Sequence, residues 1–332
     1  MVTLRLYLMP RTAFGTPLLG ETLFGQLCWA IAHRKGEDRL AKLLEGYAEG
    51  RPFAVVSDAF PVGYVPLPSL PAHYWQRGDG CNRKYLKKKR WLPVPALAHE
   101  AHSWQESALT DAEVATSIVH QNKMPSCVSQ NNASLRLTGI VTHNTIDRST
   151  ATTGTGQFAP YMASQIWFDT AVRLYVHVVL DEKRISPDEI RQAFEDIGAC
   201  GYGRDANIGL GKFEVCGNEN VPTQPASRAR LTLSSCSLSG ESESIDAGTT
   251  FYRVKTHFGR HGAQLALSGQ PFKRPILLAE GGAVVTFENT DARPFIGTGL
   301  SGVSSVQPGA VHQGYCPVMA LSKLFSERQS RP

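Results

Sequence analysis

The sequence lacks most of the patterns that would announce a chemistry. None of its seven cysteines, at 28, 81, 127, 200, 216, 236 and 316, forms a C-x-x-C pair. Odd number and wide scatter argue against a disulfide framework and for free thiols in a reducing cytoplasm. No Cys/His set offers four tetrahedral ligands. His99-Glu100-Ala101-His102 is one residue short of the zinc H-E-x-x-H pattern. His257 and His261 sit four apart, but Gly259 and an expected strand end break any helical pairing. There is no G-x-S-x-G elbow and no aspartate pair that marks a two-metal centre. No run approaches the ~18–20 apolar residues of a membrane span. The opening MVTLRLYLMP is no signal peptide, because Arg5 interrupts it and Val2, Leu4, Leu6 and Leu8 alternate as in a strand. The expectations are no metal, no cofactor and no membrane partner.

What remains is a globular composition, 42% hydrophobic and 19% charged, in 332 residues, enough for two domains with separate cores. The net charge of +5 is compatible with a polyanionic partner without requiring one.

The most organised stretch is Gly198 to Val215, GACGYGRDANIGLGKFEV. Before it, SPDEIRQAFEDIG predicts a helix over 187–197. Ser186 caps it, Pro187 takes the first turn, Asp188 and Glu189 suit the positive end of the dipole. Ile190, Ala193, Phe194 and Ile197 form one apolar face. Gly198 is expected to end the helix in a left-handed conformation, and Lys212 to Val215 alternates like a strand. The order helix, glycine loop, strand excludes a dinucleotide site, which needs strand, loop, helix. Ala206 and Phe213 exclude a phosphate loop of the ATP type. Glycines at 201, 203, 209 and 211 instead expose backbone that a polymer can approach closely, with N–H groups free for phosphate oxygens. A plain connecting loop is the other reading.

A glycine-rich loop between the last helix and last strand resembles that of RAMP proteins, the RNA-binding subunits of CRISPR effector complexes. RTAFGTPLLGETLFGQLCWAI, GYAEGRPFAVVSDAFPVGYVPLPSLP and FIGTGLSGVSSVQPGAVHQGYCPVMAL narrow the resemblance to the fourth Csm subunit family of type III-A complexes. The resemblance spans nearly the whole chain. It implies an α+β protein of two ferredoxin-like (RRM-like) domains with a projecting β-hairpin thumb. It implies a non-catalytic subunit that holds the 5′ handle of crRNA and meets a large palm-domain signature subunit and a backbone RAMP subunit.

Taken in order, Val2–Met9 reads as a strand and Leu18–Arg34 as a helix with Leu18, Leu19, Thr22, Leu23, Leu27, Ala30 and Ile31 buried. Gly20 and Gly25 within it each cost about 1 kcal/mol against Ala. Close approach to a sheet or partner explains them, or simple tolerance does. Phe53–Val56 and Gly63–Val65 read as a hairpin around SDAFP. A domain over 1–216 then carries an insertion over 66–168, and a degenerate ferredoxin-like domain covers 217–332. The insertion holds a basic run, Arg83, Lys84, Lys87, Lys88, Lys89 and Arg90, beside Trp75, Tyr85 and Trp91. Such a run serves phosphate attraction and base stacking, a solvated loop, or a protein contact. Leu135–Asn144 and Gln157–Phe168 read as the thumb hairpin. The resemblance places His143, Asn144, Asp147 and Arg148 at its base. Gly217–Arg228 is the expected linker. Strands are expected at Arg230–Cys236, Thr250–His257, Ile276–Leu278 and Ala283–Glu288, a polar loop at Ser237–Gly248, and a frayed tail from Ser322.

Candidate RNA contacts are Gly201, Tyr202, Gly203, Arg204, Asp205, Asn207, Gly209, Gly211 and Lys212 of the glycine loop. Phe14, Gly15 and Thr16 are expected to line the same face, with His143, Asn144 and Arg148 holding or kinking the strand. His312, Gln313, Gly314 and Tyr315 read or stack a base, or form a turn packed between domains. Gly297–Gly302, GTGLSG, is a candidate second glycine loop. Two rivals stay open. One is metal-independent RNA cleavage through His143 with Arg148, or through His33. The other is an assembly scaffold that touches no RNA.

Overall fold

The computed structural model describes residues 1–75, 83–121, 135–241, 244–262, 265, 269–322 and 324. Of residues 83, 119–121 and 157 only the backbone is described. Cys81, Cys127 and most of the expected tail lie outside these residues.

β1 (Val2–Pro10) buries Leu4, Leu6 and Leu8 on one face, as the alternation requires. α1 (Gly20–Lys35) and α2 (Glu37–Leu44) follow. A Cβ at Gly20 would lie 2.4 Å from the Val56 carbonyl oxygen, so this glycine lets the helix start touch the backbone of a strand. Gly25 meets nothing within 4 Å and has no such role.

β2 (Ala54–Val56), β3 (Phe60–Pro61) and β4 (Tyr64–Pro66) do not form the expected hairpin. β2 and β3 run one after the other along a single later strand, with Val55 opposite Val179 and Phe60 opposite Tyr175. Residues 57–59 form an interruption along that edge, where Ser57 accepts the His177 N–H through Oγ at 2.8 Å. β4 pairs instead with β5 (Trp91–Pro93), after α3 (Arg83–Leu86). α4 (Trp104–Ser107) and α5 (Asp111–Gln121) lead to the hairpin of β6 (Arg136–His143) and β7 (Tyr161–Phe168). Its register runs unbroken from Arg136↔Phe168 to His143↔Tyr161, close to the expected bounds.

β8 (Leu174–Leu180), α6 (Pro187–Cys200) and β9 (Phe213–Val221) complete an antiparallel sheet of order β2-β8-β1-β9, with β3 also on β8. Leu4, Leu6, Leu8, Val176 and Val178 share one core with Leu23, Leu27, Ile190, Phe194 and Ile197 from α1 and α6. The opposite face is covered too. Tyr7 and Tyr175, paired on the central strands, join Phe60, Trp104, Leu231 and Met319 in a second core. An open sheet on which bases could stack is therefore absent there.

β9 continues to Val221, opposite Thr3, so the expected linker 217–228 shrinks to the residues between Val221 and β10 (Ser227–Thr232). A ribbon of β11 (Val254–His257) and β12 (Ile276–Ala279) precedes β13 (Val284–Asp291), β14 (Phe295–Gly297) and β15 (Tyr315–Ala320). The second sheet has the order β13-β10-β15-β14. The four expected C-terminal strands overlap β10 to β13. Among the described residues no α-helix follows Cys200, and no helix is long and apolar enough to cross a membrane. The whole is a mixed α+β arrangement of antiparallel sheets.

Candidate nucleic-acid interface

α6 begins as its sequence prescribes. Ser186 Oγ accepts the Glu189 N–H at 3.2 Å, and a Glu189 carboxylate oxygen accepts the Ser186 N–H at 3.1 Å, a reciprocal cap. The helix does not end at Gly198. It runs to Cys200 and stops at Gly201, φ +101°. Within the helix Gly198 leaves room for the strand, since a Cβ there would lie 2.1 Å from the Phe213 oxygen. Its role is contact between helix and strand.

From Gly201 the chain closes on itself. The Tyr202 N–H donates to the Gly211 oxygen at 3.0 Å, and the Gly211 N–H donates to the Ala13 oxygen at 2.7 Å. Tyr202 is fully buried. Its hydroxyl donates to the Pro17 oxygen at 2.7 Å and accepts the Leu19 N–H at 3.2 Å. Gly201, Tyr202 and Gly211 are thus interior anchors, which corrects their expected place on a contact surface. Phe14 is corrected in the same way. It is wholly buried, edge-on to Phe168 at 5.6 Å and 6.3 Å from the Tyr202 ring. Its backbone exchanges two hydrogen bonds of 2.8 Å with Ile166 of the hairpin. An apolar ring with no polar atom to satisfy is driven to this three-way junction.

The remaining residues make a rim in which Arg204, Asn207 and Lys212 are exposed and Gly15, Thr16, Gly203, Asp205 and Gly209 are half-buried. Gly15 and Gly203 allow two backbones to meet: a Cβ at Gly15 would lie 2.7 Å from the Arg204 oxygen, and one at Gly203 2.7 Å from Thr16. The Arg204 N–H donates to Thr16 Oγ1 at 3.0 Å, and the Lys212 N–H to Thr12 Oγ1 at 2.9 Å. Arg204, exposed, donates from Nη2 to the Ser164 oxygen at 2.5 Å, while its Nε is 3.1 Å from Asp205. Asn207, Ile208 and Lys212 face solvent. Asp205, at φ +64°, and Gly209, at φ +97°, carry the turn between them. The structure therefore brings together 15–16, 203–212 and the root of the hairpin.

It does not unite all of the candidate residues. His143, Asn144 and Arg148 sit at the far end of the hairpin, not its base. The register sets His143 opposite Tyr161, and Ser164, which touches Arg204, is three residues nearer the root, about 10 Å away. His143 stacks on Tyr161 at 5.0 Å and 11°, while Asn144 and Arg148 are exposed. The hairpin also exposes Ile140 and Met162, 71% and 73%, a diagonal apolar pair that the sequence pattern of LRLTGIVTH does not single out.

His312 and Gln313 are buried, and of the two readings the interior turn is the one observed. The Gln313 amide mimics a strand: Oε1 accepts the Val56 N–H and Nε2 donates to the Val56 oxygen, both at 2.8 Å. His312 lies 4.9 Å from the His257 ring, and burial, then His257, depresses its pKa to about 3. Tyr315 donates to the Tyr47 oxygen at 2.6 Å. Gly299 packs against Tyr47, where a Cβ would be 2.4 Å from the carbonyl oxygen, so the 297–302 stretch is not an open loop at that point.

Beside Thr16 and Pro17 lies a cleft of about 280 Å³, lined also by Asp58, Arg90, Trp91, Arg136 and Glu280. In the basic run Lys84, Lys87, Lys88 and Arg90 are exposed, whereas Lys89 donates to the Gln105 and Glu106 oxygens at 3.0 and 2.6 Å. Among the described residues no group of three or more His, Cys, Asp or Glu has the geometry to hold a metal ion.

No protein-family model matches the chain, and no curated protein matches it. Solved structures do. One is a Csm3–Csm4 subcomplex of the type III-A CRISPR-Cas interference complex, with TM-score 0.60 and 14% identity over 96% of this chain and 98% of the other. Another is a Csm1–Csm4 cassette in complex with cA4, with TM-score 0.56 and 16% identity over 98% and 99%. A third is a Csm1–Csm4 cassette in complex with AMPPNP, with TM-score 0.53 and 16% identity over the same shares. Csm4 is common to all three, and end to end this chain has the Csm4-like fold that they contain.

Proposed function

We propose that this chain is a non-catalytic RNA-binding subunit of a type III-A CRISPR interference complex, holding the 5′ handle of a crRNA. The supporting observation is the rim at 203–212. It is a preformed bend with glycines at 203 and 209, pinned from inside by Tyr202 and Gly211, that presents Arg204, Asn207 and Lys212 beside Gly15 and Thr16. Bare backbone with a few cations suits a sugar–phosphate path. The strand order β2-β8-β1-β9 with two helices on one face is that of a ferredoxin-like unit, which supports a RAMP domain over 1–216 with the thumb in an insertion at 66–168. Residues 217–332 then form the second, degenerate unit. Neighbours solved as Csm1–Csm4 and Csm3–Csm4 assemblies support the large signature subunit and a backbone RAMP subunit as its partners.

The test uses the purified chain and labelled RNA carrying one fixed 5′ sequence. Arg204→Glu with Lys212→Glu is expected to weaken binding at least about tenfold and to flatten the salt slope by roughly 1.4. Unchanged affinity and slope would give the function to a scaffold. Cleavage of repeat RNA in chelator, abolished by His143→Ala, would show an enzyme instead.

A further inference from the structure

Between Phe251 and Ala279 the chain has no aspartate or glutamate, yet it carries Arg253, Lys255, Arg260, Lys273 and Arg274 with Tyr252, Phe258 and Phe272. Its described residues form the β11–β12 ribbon and its extension. The pairing continues beyond the strands, with Arg260 opposite Phe272 and the His261 N–H donating to the Pro271 oxygen at 2.9 Å.

The ribbon has two different faces, because its side chains alternate. One row points inward. Lys255 Nζ is 2.6 Å from the buried carboxylate of Glu21, the His257 ring lies against His312, and His261 is 3.0 Å from Ser304 Oγ. These contacts fasten the ribbon to α1 and to the C-terminal half. The other row, Val254, Thr256, Phe258 and Arg260, faces solvent, with Tyr252 and Arg253 before it and Phe272, Arg274 and Leu277 across from it. Phe258 is 64% exposed, Phe272 61% and Tyr252 49%. The Arg260 guanidinium lies 5.8 Å from the centre of the Phe272 ring.

Exposed aromatic rings cost free energy in water unless something covers them. Rings interleaved with arginines, on a stretch whose own sequence from 251 to 279 holds no aspartate or glutamate, match the chemistry of single-stranded nucleic acid: planar bases stack on the rings and phosphates meet the guanidinium groups. We propose that the outer face of this ribbon is a second binding surface for single-stranded nucleic acid, separate from the glycine loop. From Tyr252 to Arg260 it spans about 27 Å, enough for roughly four nucleotides in an extended strand. It is independent of the handle assignment, since it shares no residue with the rim at 203–212. An acidic protein surface is the competing occupant, and three exposed rings set among the cations, Tyr252, Phe258 and Phe272, favour stacking over a purely ionic contact.

The experiment starts from the full chain carrying Arg204→Glu and Lys212→Glu, which removes the first surface. Binding of a labelled twelve-nucleotide oligouridylate is followed by fluorescence anisotropy across a salt series. Residual binding is expected, and adding Phe258→Ala and Phe272→Ala should weaken it about tenfold or more. Adding Arg253→Glu and Arg274→Glu should instead flatten the salt slope by roughly 1.4. Because the substituted side chains are exposed, thermal unfolding should be unchanged. As a second readout on the unsubstituted chain, ultraviolet crosslinking of the same oligonucleotide should label peptides that contain Phe258 or Phe272. No residual binding by the starting variant, crosslinks confined to the glycine loop, or ribbon variants that keep full RNA binding while losing a protein partner would overturn the proposal.

Discussion

Two glycines in one loop serve different ends, and substitution separates them. Gly211, at φ +74°, would place a Cβ 2.1 Å from the Tyr202 oxygen, a rigid backbone atom. Gly209, at φ +97°, meets nothing within 4 Å. Gly211→Ala is expected to lower stability by more than about 2 kcal/mol in urea unfolding, because strain and collision add. Gly209→Ala should cost only about 1 kcal/mol, the backbone strain alone. Equal losses would show that the collision is relieved by movement of the loop. Nothing in the glycine spacing distinguishes the two positions. Glycine spacing reveals that backbone comes close to something, but not whether the neighbour is a bound polymer or the protein itself. The burial of Phe14 and Tyr202 is hidden in the sequence for the same reason. Each lies in an irregular segment with no period to say which way it points, and only the meeting of 13–19, 202 and the hairpin decides it.

At the level of elements, local chemistry was legible and long-range pairing was not. The capping box of Ser186 and Glu189, the helix face of Ile190 and Phe194 and the alternation of β1 all follow from neighbours a few residues apart. The pairing of β2 and β3 with β8 joins residues more than a hundred positions apart, and a short apolar run carries no mark of its partner. The cap also bears on the candidate site, since α6 delivers the glycine loop. Ser186→Ala should destabilise the chain by about 1 kcal/mol. Hydrogen exchange should quicken in the first turn of α6 while the Gly211 amide stays protected by Ala13. Loss of that protection would mean that the loop depends on the helix start for its shape.

Across the whole molecule, the two halves are joined through buried polar contacts that pH and mutation can probe. Gln313→Leu would leave the Val56 N–H and carbonyl oxygen buried without partners, a loss of about 2–4 kcal/mol. Exchange at the Val56 amide should accelerate; unaltered protection would show that water replaces the side chain. His177 and His312 are both held neutral, with pKa values near 3 set first by burial. Their folded values lie below the unfolded one of about 6.5, so the stability tied to them is complete above that pH and lost on acidification. Asp58 acts in the opposite sense: burial and then Glu21 raise its pKa, so its contribution favours the native state as pH falls. Counting these three groups, two histidines against one carboxyl leave a net loss of about 1 kcal/mol between pH 6.5 and pH 5 in urea unfolding. His312→Gln should remove essentially all of that net loss, since one histidine then stands against one carboxyl, and a flat profile in the unsubstituted chain would contradict it. The same closure that buries Tyr202 has a kinetic corollary. Its amide already bonds Gly211 before anything docks, so capture of a polyanion there would involve no folding step. Encounter would then be governed by long-range attraction, with an on-rate that drops steeply as ionic strength rises and shows no slow conformational phase.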